Sequence, residues 1–312
     1  VKILVTGATG FIGSALVNEL VLQKQELICS VRKQSAFLPE SINQVIIEDL
    51  SISTDWSKSL MGIDTVIHLA ARVHVMADDL TNPLAEFRAI NRDATLALAR
   101  MAADTGVKRF IFISSVKVNG EITELNKPFK PNDKCVPDDP YGLSKYEAEQ
   151  GLLALAKETG MEVVIIRPPL VYGPGVRANF ASMMKWINKG VPLPFGAIHN
   201  QRSLIAVDNL VSFIIHCIDY SKAANEIFLI SDGEDVSTTE LLRKVAKALS
   251  KKSRLIPVPV SWMKFVAKLI GKEEVANRLF GSLQVDISKA RDLLGWKPVI
   301  TMDEQLKKTA GH

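Results

Sequence analysis

The chain is short of cysteine, of charge of one sign, of long apolar runs and of low-complexity sequence. Its 3 cysteines, Cys29, Cys135 and Cys217, are scattered through 312 residues. That spacing excludes a disulfide scaffold and a thiolate metal centre, so no metal is expected and a reducing, cytoplasmic setting is. No apolar run reaches the roughly 18 residues that a membrane-crossing helix needs, and no membrane insertion is expected. Lysine and arginine number 38 against 34 acidic residues, without clustering into a basic face. A net charge of +4 argues against a nucleic-acid partner but suits an anionic small molecule. With 47% apolar and 23% charged residues, the composition is that of a globular protein with one large domain or two smaller ones. The chain enters a strand at once, so little of the fold is expected to precede it. The segment WMKFVAKLI at 262–270 is both apolar and basic. It reads as a helix packed on its own domain or as one that meets a membrane surface.

What is present begins at the first residue. VKILV at 1–5 is a β-branched apolar run, TGATGFIG follows at 6–13, and SALVNEL at 14–20 has a helical pattern. A strand, a glycine-rich turn and a helix in this order bring backbone N–H groups to a pyrophosphate. Glycine serves there because a Cβ would hold the phosphates off or strain a positive φ. The spacing of Gly7, Gly10 and Gly13, with Phe11 and Ile12 between, differs from the usual G-x-G-x-x-G. A tight turn in some other α/β protein stays open on this stretch alone.

A second strand, ELICSVR at 26–32, ends where an adenosine ribose is read in dinucleotide folds. An acidic residue there would bind the 2′-hydroxyl of NAD; Arg32 and Lys33 suit a 2′-phosphate instead, which favours NADP over NAD. Arg32 could also stack on adenine. A third strand over VIIEDL at 45–50 ends in Asp49 and Leu50, at an adenine edge or in a surface turn. GIDTVIHLAA at 62–71 supplies a fourth, where Leu69, Ala70 and Ala71 let a cofactor lie against backbone. His68 reads as a satisfied core histidine and Asn91 as a residue that holds backbone near the site. RFIFI at 109–113 is a fifth strand, with Ser114 and Ser115 at its carboxyl end, where open α/β sheets bind ligands. DDPYGLSKYEAE at 138–149 starts a helix on which Tyr141 and Lys145, four apart, share a face. A phenol of pKa near 10 is a poor base at neutral pH. An adjacent ammonium and a positive nicotinamide ring would lower it and let it take a proton from an alcohol.

These motifs, with RPPLVYGPG at 167–175, RSLIAVDNLV at 202–211 and DISKARDLLGWKP at 286–298, resemble the extended short-chain dehydrogenase/reductase family. The later segments are similar to its nucleotide-sugar branch, which includes UDP-sugar 4-epimerases and 4-keto-sugar reductases. The resemblance implies an α/β fold: a Rossmann-type doubly wound parallel sheet with a smaller, mainly helical substrate domain. Residues 1–167 would form the dinucleotide domain, rejoined by strands near 204–230, and 168–312 most of the substrate domain. It makes Tyr141 the acid/base, Lys145 the residue that lowers its pKa and binds the nicotinamide ribose, and Ser115 the donor to the sugar oxygen. Asn179 and Arg202 would contact the substrate diphosphate. A UDP-sugar substrate and a homodimer are further implications. Two activities fit: a 4-epimerase on a UDP-hexose or UDP-N-acetylhexosamine, and an NADPH-dependent 4-keto-sugar reductase, towards which Arg32, Lys33 and Asn119 lean. A non-catalytic binding protein is disfavoured by the intact Ser115, Tyr141 and Lys145. A 4,6-dehydratase is disfavoured because Val116 and Lys117 stand where that group carries acids. Around 281–284 no large aromatic occupies the place of the sugar's 2-substituent, so an N-acetyl group would fit.

Overall fold

The computed structural model describes residues 1–73, 82–133, 136–176 and 178–311. In its first half, strands and helices alternate: β1 (Lys2–Thr6), α1 (Phe11–Leu22), β2 (Glu26–Val31), β3 (Asn43–Ile46), α2 (Ser57–Leu60) and β4 (Thr65–His68). Next come α3 (Pro83–Arg88), a π-helical turn (Ala89–Ala94) and α4 (Thr95–Asp104). They are followed by β5 (Arg109–Ile113), α5 (Pro140–Thr159) and β6 (Glu162–Arg167). The second half holds β7 (Leu170–Tyr172), α6 (Ala178–Asn188), β8 (Arg202–Ala206), α7 (Val207–His216), β9 (Glu226–Leu229) and β10 (Asp235–Val236). It closes with α8 (Thr238–Ala248), α9 (Val260–Leu269), α10 (Glu273–Phe280), α11 (Ser288–Leu294) and α12 (Met302–Ala310).

Seven strands form one sheet in the order β3-β2-β1-β4-β5-β6-β9, every pairing parallel. Parallel sheets are covered on both faces, so their strands are apolar throughout. Alternation along each strand sends Ile3 and Val5 to one core with Leu16, Leu20 and Phe213. Leu4, Phe110 and Phe112 go to the other, with Leu98, Leu152 and Leu155. The strand order reverses between β1 and β4, and the crevice outside the carboxyl ends at such a switch point is where open α/β sheets bind ligands.

A three-stranded sheet, β10-β8-β7, anchors the other half. Of the strands expected to rejoin the large sheet, β9 does, beside β6. The strand at 202–206 instead pairs with β7, Leu170 opposite Leu204. The cause is local, since Pro168 and Pro169 end the run of backbone donors after β6 and turn the chain out of the sheet. Tyr172, Leu204, Leu242, Val245 and Leu306 share the core of this half. The third strand is also shorter than expected. Beyond Ile46 only the Ile47 amide reaches Val31, and Asp49 and Leu50 lie in the following turn, where the Thr54 hydroxyl donates to the Asp49 carbonyl.

Cys29 and Cys217 are buried free thiols, and burial pushes the Cys29 thiol up to about 12; Cys135 lies outside the described residues. Among the described residues no helix is long and apolar enough to cross a membrane, and no group of three or more His, Cys, Asp or Glu residues could hold a metal ion.

Candidate active site

The loop after β1 is tight enough to require its glycines. Gly7 has φ +71°, and a Cβ on it would stand 2.7 Å from the Ala70 amide nitrogen. A Cβ on Gly13 would stand 2.1 Å from the Gly7 carbonyl oxygen. The loop thus closes on itself and on the backbone of Leu69 and Ala70, which is why small residues follow β4. Gly10 caps α1 with no side chain bonded to the helix end and no acid in its first turn. Phe11 and Ile12 open that turn. A bare helix N-terminus with its amides forward fits a pyrophosphate.

His68 is buried, with Nδ1 2.8 Å from the Thr6 hydroxyl and Nε2 3.0 Å from that of Thr95. Burial, then the charge of Lys145, lowers its pKa to about 3. It pins β1, β4 and α4 together as a neutral core residue. Asn91 accepts from the Arg72 amide at 2.8 Å and donates to the Arg72 carbonyl and the Ser144 hydroxyl. It thereby ties the loop after β4 to α5.

The two serines after β5 part company. Ser114 turns inward and donates to Glu149 at 2.5 Å. Ser115 turns towards Tyr141, whose phenol it hydrogen-bonds, and its Oγ also accepts from the Lys117 amide. Asp139 caps α5 by accepting from the Gly142 amide at 2.8 Å, with Pro140 in the first turn. Gly142 lets this helix end touch the serine turn, since a Cβ there would lie 2.8 Å from the Lys117 carbonyl.

Tyr141 is half-buried against the edge of Phe87. Burial pushes its phenol up to about 12, the Asp139 charge adds to that, and the Ser115 hydrogen bond works the other way. Lys145, one turn on, is buried, donates to the Ile113 carbonyl at 2.9 Å and lies 4.4 Å above the Phe112 ring. Burial brings it down to about 7, while Glu149 pulls it up. The protein's own charges therefore do not bring the phenol towards neutrality as the Tyr–Lys spacing alone suggests.

Sequence reasoning passed over the support beneath this pair. Glu149 holds Arg167 at 2.5 Å in a buried ion pair, and Arg167 also reaches Asn119 and the Pro131 carbonyl. The signal was available: Tyr141, Lys145 and Glu149 recur every four residues on one helix face. Lys117, paired with Asp139 and Glu121, places its ammonium 5.9 Å from the centre of the Tyr141 ring.

The remaining candidates stand apart from this cluster. Arg32 and Lys33 are exposed at the end of β2, and among the described residues neither forms an ion pair. Asp49 is exposed and Leu50 half-buried; Leu69, Ala70 and Ala71 line the Gly7 loop, half-buried. Asn179 lies on α6, its side chain outside the described residues. Arg202 donates through Nη1 to the carbonyls of Arg278 and Gly281, at 2.6 and 3.2 Å. Among the described residues its Nε and Nη2 have no partner, which keeps part of the guanidinium available to a phosphate. Leu283 packs with Val116 and Leu229, and Gln284 donates to Asp235.

Chemistry-bearing side chains at the carboxyl ends of parallel strands, beside a helix end shaped for phosphate, define the class: a Rossmann-type dinucleotide-dependent enzyme. A family model described as the NAD dependent epimerase/dehydratase family matches residues 3–231, and the chain belongs to that family. It is 51% identical to UDP-glucose 4-epimerase of Vibrio cholerae, over 99% of this chain and 94% of that protein. It is 30% identical to N-acetyl-alpha-D-glucosaminyl-diphospho-ditrans,octacis-undecaprenol 4-epimerase of Escherichia coli O157:H7, over 99% of this chain and 94% of that one. The crystal structure of a Thermotoga maritima UDP-glucose 4-epimerase with UDP-glucose matches with a TM-score of 0.77 at 26% identity, covering 100% of this chain and 98% of that one.

Proposed function

We propose that this enzyme is a nucleotide-sugar 4-epimerase that inverts C4 of a UDP-hexose or UDP-N-acetylhexosamine through a transient 4-keto sugar. The observation that carries the reading is Ser115 set against Tyr141, with Lys145 one turn on, at the same carboxyl edge of the sheet as the glycine loop. The relatives of Vibrio cholerae and Escherichia coli, both named as 4-epimerases of a sugar joined to a diphosphate, support it. Gly7, Gly10, Phe11, Ile12 and Gly13 hold the pyrophosphate of a nicotinamide dinucleotide. When bound there, that cofactor would supply a reversible hydride acceptor for C4 and, in its oxidised form, positive charge beside the phenol.

Tyr141 receives the proton of the C4 hydroxyl and later gives it back. Its phenol is pushed up to about 12 by burial and Asp139, so the proton-accepting form depends on added positive charge. Lys145, fixed by the Ile113 carbonyl, would hold the nicotinamide ribose and supplies part of that charge when protonated. Ser115 donates to the sugar oxygen as it becomes a carbonyl. Arg202, with Asn179, holds the diphosphate while the sugar turns. A cytoplasmic setting belongs to the same reading, supported by the buried free thiols.

The exposed Arg32 and Lys33 favour a second reading, an NADPH-dependent 4-keto-sugar reductase, because they suit a 2′-phosphate. One experiment separates the two. The purified protein is denatured and its nucleotide identified by mass, and UDP-galactose is supplied without added reductant. Bound NAD together with formation of UDP-glucose supports the epimerase. An empty site that takes NADPH in preference to NADH, with no isomerisation, supports the reductase. In either case Tyr141→Phe should cut turnover by about 10² or more while leaving nucleotide binding nearly intact. Normal turnover by that variant discards Tyr141 as the acid/base.

A further inference from the structure

Helix α9 is amphipathic in the wrong sense for a helix that belongs to a core. Trp262, Phe265, Val266, Leu269 and Ile270 stand at i, i+3, i+4, i+7 and i+8, the spacing that lines one helix face. That face looks outward: Trp262 is 69% exposed, Phe265 62%, Leu269 70% and Ile270 64%. No residue of α9 is buried. The helix is held by another edge, the half-buried Val260, Met263 and Ala267, and packs against α10. A packed helix turns its apolar stripe inward, so packing on its own domain does not account for this one.

The charge around the stripe identifies what covers it. Residues 251–272 contain Lys251, Lys252, Arg254, Lys264, Lys268 and Lys272 and no acidic residue. Lys264 and Lys268 lie one turn apart on the opposite, polar side of the same helix. Among the described residues none of the six pairs with a carboxylate, although ion pairs are frequent elsewhere on the molecule. An anionic bilayer complements both features, taking the Trp, Phe and Leu side chains below the headgroups and the lysines at the phosphates. We infer that α9 docks this enzyme on the surface of an anionic lipid membrane, lying in the interface without crossing it.

The position of α9 gives the contact a consequence. α10, packed on α9, ends at the carbonyls of Arg278 and Gly281 that Arg202 holds. On the reading of Arg202 as a ligand of the substrate diphosphate, the surface joins directly to the wall of that site.

Flotation of the purified full chain with two vesicle types tests this: phosphatidylcholine alone, and phosphatidylcholine with phosphatidylglycerol. The protein should float with the anionic vesicles and not with the neutral ones, and high salt should release it. The variant Trp262→Ser/Phe265→Ser/Leu269→Ser should lose about tenfold or more of the bound fraction. Lys264→Glu/Lys268→Glu should lose it at low salt as well. Turnover of the nucleotide sugar in solution should match wild type in both variants, which shows them folded. Wild type that floats with neither vesicle overturns the inference, as does undiminished binding by the triple variant. A wild-type dimer that the triple variant splits, with no flotation, assigns the face to a second copy and overturns it as well.

Discussion

Leu16 on α1 and Leu269 on α9 are apolar residues on helices of 12 and 10 residues, yet one is wholly buried and the other 70% exposed. Lys145 and Lys268 invert the contrast. The lysine of α5 is buried against Phe112 and the Ile113 carbonyl, and the lysine of α9 stands in solvent. Around the large sheet, the buried groups beneath the site have partners: Glu149 with Arg167 and Ser114, His68 with two hydroxyls, Asn91 with the Arg72 backbone. At α9 apolar groups leave the interior, and among the described residues the charges beside them pair with no carboxylate. The first region is closed by the chain itself; the second is built as if something outside the chain will close it.

The largest effect should come from breaking a closed network. Arg167→Ala leaves the Glu149 carboxylate buried without its guanidinium. It should cost about 3–5 kcal/mol of stability by urea denaturation, the usual penalty for halving a buried pair. A loss under about 1 kcal/mol would mean that this pair behaves like a surface one. Truncating the two leucines tests the contrast directly. Leu16→Ala should cost about 2–5 kcal/mol, from lost burial and the cavity left behind. Leu269→Ala should stay within about 0.5 kcal/mol. Equal costs would show that α9 is covered by the protein in solution.

A smaller effect, confined to a pH window, belongs to His68. Its folded-state pKa is held down to about 3, whereas an unfolded histidine titrates near 6.5. Between those values the unfolded chain binds a proton that the folded one refuses. The contribution is complete above about pH 6.5 and is lost as pH falls towards 3. Urea midpoints followed from pH 7.5 to 4.5 should drop more steeply for wild type than for His68→Gln. Parallel curves would show that His68 is protonated within the fold.

Local signals were legible and distant ones were not. Gly7, Gly10 and Gly13 declared a tight loop because the steric need arises within a few residues of chain, and Tyr141 and Lys145 declared a shared face because helical spacing is local. That Ser114 turns to Glu149 while Ser115 faces Tyr141 depends on residues more than 20 positions away, with partners that no spacing shows. Arg202 was identified by its guanidinium, but the carbonyls that orient it come from residues 76 and 79 positions on. The strand at 202–206 carries an apolar pattern that serves equally well in either sheet, and the prolines before β7 decided which one received it. The segment at 262–270 was open to two readings for the same reason, since an amphipathic pattern states that one face is apolar and leaves open what lies across from it.

The sequence by itself determined the parallel α/β class, the glycine-cradled helix end and the Tyr–Lys pair, because each rests on steric and spacing rules that act over one or two turns of chain. Only the tertiary structure decided which serine faces the phenol, that the Tyr141 phenol is raised to about 12 while Lys145 is lowered to about 7, and that α9 shows its apolar face to solvent. Burial and electrostatic environment are properties of what surrounds a side chain, and those surroundings are assembled from parts of the chain far apart in sequence.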